Sequence, residues 1–215
     1  MKFDLLKSVS FRKHPIKFLF AKFLMRSHLS TFFLINRQTY FLKFYPSSYS
    51  RALWIEPNFR LDQENFYLEY LKKGDVVIDI GANIGLYSIY HSKLNSGKCY
   101  AFEPSFFNLK WLLKNINLNN FQDKINIISN PLFDRIGFNE FKYGGNDEGG
   151  ALSAFGVNFG HDGGQINNKT SSNVLGFSLD WMLENNVIEI PNLIKLDVDG
   201  IEHIILQGAQ KVLTH

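Results

Sequence analysis

A chain of 215 residues with 45% hydrophobic content can hold one α/β domain with an extension and is too short for two full domains. The net charge of +3 hides a split: residues 1 to 55 carry ten Lys/Arg against Asp4 alone, and residues 56 to 215 carry thirteen against nineteen acids. The acidic body argues against a nucleic-acid partner, and the single cysteine, Cys99, excludes an internal disulfide framework or a CxxC metal or redox site.

The basic, Phe-rich arm leaves two readings open: contact of residues 1–35 with an anionic surface such as lipid headgroups, or a solvated helical extension. Lys13, Lys17, Lys22 and Arg26 interrupt every apolar run well short of the ~18 residues a membrane span needs. The expectation is a cytoplasmic protein, peripheral at the membrane if the arm engages it. Residues 1–60 read as this extension and residues 61–215 as the folded domain.

From Pro15, a good first helical residue, Ile16, Leu19, Phe20, Phe23 and Leu24 share one helical face, which more commonly packs on its own domain than on a bilayer. Tyr40 to Phe44 reads as a short strand followed by a turn at Pro46, and residues 62 to 72 as a helix stopped at Gly74. The pattern then becomes regular: an apolar strand Val76 to Ile80, a glycine turn, a helix from about Ile84 to Leu94, and a strand Lys98 to Phe102. This is a βαβ unit. Ser105 is placed to cap a helix carrying Trp111, Leu112, Leu113 and Ile116, and Ile125 to Ile128 makes a third strand. A short strand is expected at Phe138 to Tyr143, then a long Gly/Asn/Ser-rich loop over 144–173, a helix Leu179 to Asn185, a strand Leu193 to Val198 and a last helix Ile201 to Leu213. The fold class is therefore α/β, a Rossmann-like doubly wound, mostly parallel sheet with an N-terminal helical extension.

The segment Val76-Val77-Ile78-Asp79-Ile80-Gly81-Ala82-Asn83-Ile84-Gly85 puts an acid at the end of a buried strand and glycines at the turn into a helix. Gly81 lets the backbone approach a ligand, Gly85 lets the helix pack near the strand, and the helix N-terminus offers N–H groups to a carboxylate. S-adenosylmethionine carries such a carboxylate. A dinucleotide fingerprint needs G-x-G-x-x-G, whereas Asn83 holds the second glycine position and Tyr87 and Ser88 stand where a third would follow. Glu103 ends the next strand about 20 residues on, where an acid accepts ribose hydroxyls. Asn130, just past the third strand, is placed either to hydrogen-bond an adenine edge or simply to turn the chain before Pro131.

The segment Leu193-Ile194-Lys195-Leu196-Asp197-Val198-Asp199-Gly200-Ile201-Glu202, with Asp79-x-Gly-Ala-Asn-x-Gly85, the Glu103-Pro104 pair and Ser178-Leu179-Asp180, resembles the FkbM family of methyltransferases over roughly residues 62 to 213. The family pattern reads K-x-D-V-E-G-x-E here, so Asp199 stands where glutamate is usual. The resemblance implies S-adenosylmethionine-dependent O-methylation of a sugar, glycan, polyketide or other small-molecule hydroxyl. Such sheets normally carry more strands than the four placed above, so residue 215 reads as a truncation point.

Methyl transfer to oxygen requires alignment and removal of the hydroxyl proton. Asp197 lies at the carboxyl end of its strand, where open α/β sheets bind ligands, with Asp199 and Glu202 as assisting bases or hard oxygen ligands. Asp199 and Glu202 equally fit a capping box of the last helix, and no metal site is assigned. Lys195 is suited either to polarising a substrate oxygen or to pairing with Asp197. His161 is a weaker alternative base, while His91 and His203 read as solvated helix residues. Three rivals stand beside the methyltransferase reading: a nicotinamide-dependent oxidoreductase, a truncated non-catalytic nucleoside binder, and a membrane-associated scaffold built on the arm.

Overall fold

A computed structural model describes residues 12–26, 34–37, 42–45, 65, 67, 69–144, 153–159, 164–165 and 170–214. In chain order it contains α1 (Pro15–Arg26), β1 (Ile35–Arg37), β2 (Leu42–Phe44), β3 (Val77–Ile80), α2 (Leu86–Leu94), β4 (Cys99–Phe102), α3 (Phe106–Leu118), β5 (Ile125–Ile128), β6 (Gly137–Lys142), β7 (Ala154–Phe155), β8 (Ser171–Gly176), α4 (Leu179–Glu184), β9 (Leu193–Leu196), α5 (Glu202–Gln207) and α6 (Gln210–Thr214).

The four apolar runs expected as core strands form one parallel sheet in the order β5-β4-β3-β9. Every residue of β3 and β4 is buried, as it must be when helices cover both faces of a parallel sheet. On one face, Val77 and Ala101 pack with Ile84, Ile89 and Tyr90 of the turn and α2 and with Trp111, Leu112 and Ile116 of α3. On the other, Ile78, Ile80, Tyr100 and Phe102 pack with Leu179 and Met182 of α4 and Ile201 and Ile205 of the α5 region. The doubly wound α/β architecture is thus present.

The amino-terminal strands join this core directly. β1 and β2 form an antiparallel pair, and Leu42 and Phe44 are buried in the α2/α3 face. Asn119 of the α3 C-cap both accepts from the Lys43 amide and donates to its carbonyl, and Asn115 accepts from the Tyr45 amide. Helix α1 departs from expectation: Ile16, Leu19, Phe20 and Phe23 are exposed, while Phe18 and Ala21 are buried. No helix among the described residues is long and apolar enough to cross a membrane. Of the helix expected over 62–72, the described residues 65, 67, 69 and 70 are helical.

Two further expectations are corrected. The stretch 144–173 is not loop throughout: β7 lies within it and β8 begins in it, and both pair antiparallel with β6. β8 has the sequence SSNVLG, with Ser171 and Asn173 exposed and Ser172 half-buried, so its first three residues are polar and carry no apolar alternation. The last helix is two, because Gly208 breaks it. A side chain there would lie 2.5 Å from the Phe133 carbonyl oxygen, and the Asp180 carboxylate caps the restart by accepting from the Lys211 and Val212 amides.

Candidate active site

The turn after β3 shows why glycine stands where it does. Gly81 has φ +79, and a Cβ on it would lie 2.1 Å from the Asp197 carbonyl oxygen, so a side chain is excluded by both conformation and contact. The Gly81 and Ala82 amides donate to the Phe102 carbonyl at 3.0 and 2.9 Å, pinning the turn to β4. Asn83 also takes a left-handed conformation, with φ 52, which asparagine tolerates better than most residues. Gly85, at φ +90, is the N-cap of α2 and leaves that end without a side-chain cap.

Glu103 is almost fully buried. Its Oε2 accepts from the Asn83 amide and its Oε1 from the Ser105 amide, each at 2.8 Å, and the Asn108 side chain also bonds to it. A carboxylate has about four acceptor positions, so with three taken Glu103 has room for one further donor. Burial pushes its pKa up to about 7 against the opposing pull of these hydrogen bonds. Because the folded-state pKa is raised, the folded protein binds the extra proton between about pH 4.5 and 7, and stability falls across that window and levels off above it. The full effect is about 3 kcal/mol. A ribose hydroxyl bonds the ionised form, so S-adenosylmethionine affinity is expected to rise about tenfold from pH 6 to pH 8. Both trends should flatten in Glu103→Gln, checked by denaturant melts and calorimetry across pH.

Lys195 faces Asp79 across the β3–β9 register. Its ammonium lies 3.1 Å from Asp79 Oδ1, an ion pair without hydrogen-bond alignment, and 3.8 Å from Asp197 Oδ2. It donates to the carbonyls of Ile80 at 3.2 Å and Gly81 at 2.9 Å. Ser88 Oγ donates to Asp79 Oδ2 at 2.6 Å. Asp79 is therefore enclosed by Lys195 and Ser88 rather than turned toward the cleft, whereas the Asp197 side chain is 56% exposed.

The strand expected over Leu193 to Val198 stops at Leu196, and Asp199 has φ 52. Aspartate suits that left-handed position better than glutamate does. The capping box does not form as spaced, since α5 begins at Glu202 with Ile201 as N-cap. Glu202 instead accepts from the Val198 amide at 3.2 Å and the Gly200 amide at 3.0 Å, bracing the loop that carries Asp199. Asn130 donates its amide to the Leu175 carbonyl at 2.9 Å, tying the end of β5 to β8.

These groups open onto a cleft of about 170 Å³ at the carboxyl ends of β3, β4 and β9. It is lined by Gly81, Asn83, Glu103, Asn130, Asp197 and Asp199 of the expected site residues, while Asp79, Gly85 and Glu202 lie behind its wall. Tyr87, Asn108, Phe141, Phe155 and Lys195 also line it. Asn108 was detectable in the sequence as the first polar residue inside the helix after Glu103, and Phe141 lies in the strand expected over Phe138 to Tyr143; Phe155 was not detectable, because its strand falls in the stretch read as a loop. His161 lies outside the described residues. His203 is exposed as expected, but His91 is buried, its ring nitrogens have no hydrogen-bond partner among the described residues, and burial lowers its pKa to about 4. Among the described residues no group of three or more His, Cys, Asp or Glu side chains could hold a metal.

A cleft at the carboxyl ends of a parallel sheet, between a glycine turn and a buried acid, is where open α/β sheets bind nucleotide-like ligands. The description "Methyltransferase FkbM domain" matches residues 79–215, and the chain therefore belongs to the FkbM methyltransferase family. That match displaces the nicotinamide-dependent alternative.

A ribosomal protein L11 methyltransferase from Carboxydothermus hydrogenoformans is 35% identical over 72 residues, 34% of this chain, and the match spans only 23% of that relative's length. A putative rRNA-methylase from Clostridium thermocellum is 18% identical, with TM-score 0.31, over 32% of this chain and 38% of its own. The M. jannaschii tRNA m1G37 methyltransferase is 24% identical, with TM-score 0.32, over 40% of this chain and 26% of its own. The expectation of no nucleic-acid partner does not stand. It rested on the charge of residues 56–215, and net charge governs non-specific association rather than which acceptor a cleft admits.

Proposed function

We propose that the chain transfers a methyl group from S-adenosylmethionine to a hydroxyl oxygen, as on a sugar, glycan or secondary metabolite. The observation that carries this reading is the convergence of the Gly81 turn, Glu103 and Asp197 on one cleft. Glu103 and Asn108 hold the ribose, Gly81 and Asn83 admit the backbone-proximal part of the cofactor, and Asn130 and Pro131 border the region left for the base. The cofactor supplies an electrophilic methyl group on a cationic sulfur. Asp197, exposed at the strand end, would accept the hydroxyl proton as the acceptor oxygen bonds to the methyl carbon and the methyl–sulfur bond breaks, its electron pair staying on sulfur in the departing thioether. Asp199 stands beside it in the cleft, and Glu202 holds the loop that presents both.

Calorimetry of the chain with S-adenosylmethionine and with NAD tests the cofactor. Micromolar binding of S-adenosylmethionine alone, weakened at least about a hundredfold in Glu103→Ala by loss of the buried carboxylate's bonds, supports the reading; NAD binding in its place sinks it. Transfer of labelled methyl to a panel of hydroxyl compounds and RNA then identifies the acceptor. Labelling that survives in Asp197→Asn would remove Asp197 from the role of base.

A further inference from the structure

Among the described residues, Lys195 is the one cationic side chain lining the cleft, against Glu103, Asp197 and Asp199. An ammonium has three N–H donors and no acceptor. Two go to the carbonyls of Ile80 and Gly81, and Asp79 Oδ1 occupies the third side at 3.1 Å. Buried and held by these contacts, Lys195 acts chiefly through its neighbours. The Gly81 turn is held at two ends: its amides by the Phe102 carbonyl and its carbonyls by Lys195. Asp79 is fully buried and has Ser88 as its other partner, so Lys195 alone cancels its charge among the described residues. The field of Lys195 also reaches Glu103 and His91.

We propose that Lys195 is a positioning residue: it fixes the carbonyl side of the cofactor turn and cancels Asp79, and so sets how strongly the cleft prefers a cationic sulfonium over the neutral thioether left after methyl transfer. The inference rests on the reading of this cleft as an S-adenosylmethionine site. With Lys195 in place, a sulfonium meets the carboxylates of Asp197 and Asp199 that line the cleft, and Asp79 is silent. Without it, Asp79 joins them, and the added attraction acts on the sulfonium but not on the thioether. Loss of the carbonyl bonds weakens both ligands alike, because both lie on the same turn.

The test is calorimetry of the wild type, Lys195→Met and the double variant Lys195→Met/Asp79→Asn, each with S-adenosylmethionine and with S-adenosylhomocysteine. Lys195→Met should weaken both ligands, S-adenosylhomocysteine by about fivefold more than S-adenosylmethionine. The double variant removes the buried charges together and covers the case in which the single variant does not fold. It should bind both ligands about tenfold more weakly than the wild type, for want of the carbonyl bonds, with the ratio between them back near the wild-type value. Equal weakening with an unchanged ratio in Lys195→Met, or wild-type affinities in the double variant, would overturn the proposal. A folded wild type that binds neither ligand would overturn the cofactor reading itself, and this inference with it.

Discussion

Gly81→Ala should lose S-adenosylmethionine binding and about 3 kcal/mol of stability together. The added Cβ would lie 2.1 Å from the Asp197 carbonyl oxygen, at a residue whose φ is +79. Alanine costs roughly 1 to 2 kcal/mol in that conformation alone. Relieving the contact requires the β3 turn and the β9 end to separate, at a typical overpacking cost of about 1 to 3 kcal/mol. The small entropic benefit of replacing glycine, at most about 1 kcal/mol, offsets only part of this. The separation would also stretch the Lys195 bonds to the Ile80 and Gly81 carbonyls and shift Asp197 relative to Glu103. Thermal denaturation with and without S-adenosylmethionine checks the prediction. The wild type should be stabilised by the ligand and the variant should melt lower with no ligand shift. A variant that melts like the wild type would show that the turn is not held as described.

The parts of the fold that could be read from sequence are those in which each residue has one environment. β3 and β4 are buried on both faces, so their runs of apolar residues announce them, and the glycines between β3 and α2 mark conformations few other residues adopt. Glu103 followed from the spacing between two such strands. β8 could not be read because its first three residues are polar and its stability comes from backbone pairing with β6, which leaves little trace in side-chain pattern. The break at Gly208 depends on the Phe133 carbonyl, distant in sequence. The burial of His91 depends on Tyr67 packing edge-on against its ring, a contact no helical periodicity announces. The spacing of Asp199 and Glu202 suggested a capping box, yet the left-handed turn at Asp199 lets Glu202 brace the loop instead. The same limit applies to Asp79, whose position in the motif suggested a cofactor ligand and whose surroundings give it another role.

Those surroundings predict that Asp79→Ala acts first on stability. The substitution leaves the Lys195 ammonium buried with two carbonyls and an exposed Asp197 at 3.8 Å, and leaves Ser88 Oγ without its 2.6 Å acceptor. Removing one partner of a buried ion pair typically costs about 3 to 5 kcal/mol, a large share of the roughly 5 to 15 kcal/mol that holds a domain together. For a chain of this size the melting temperature should fall by about 10 °C or more. Asp79→Asn keeps an oxygen for Ser88 and one polar neighbour for Lys195, so it should lose clearly less. Melts of both variants without ligand, followed by S-adenosylmethionine titration of whichever remains folded, separate the two possible roles of Asp79. If Asp79 contacted the cofactor directly, Asp79→Asn would lose binding while melting near the wild type. If it acts as the buried partner of Lys195, affinity will follow stability, falling most in Asp79→Ala and least in Asp79→Asn.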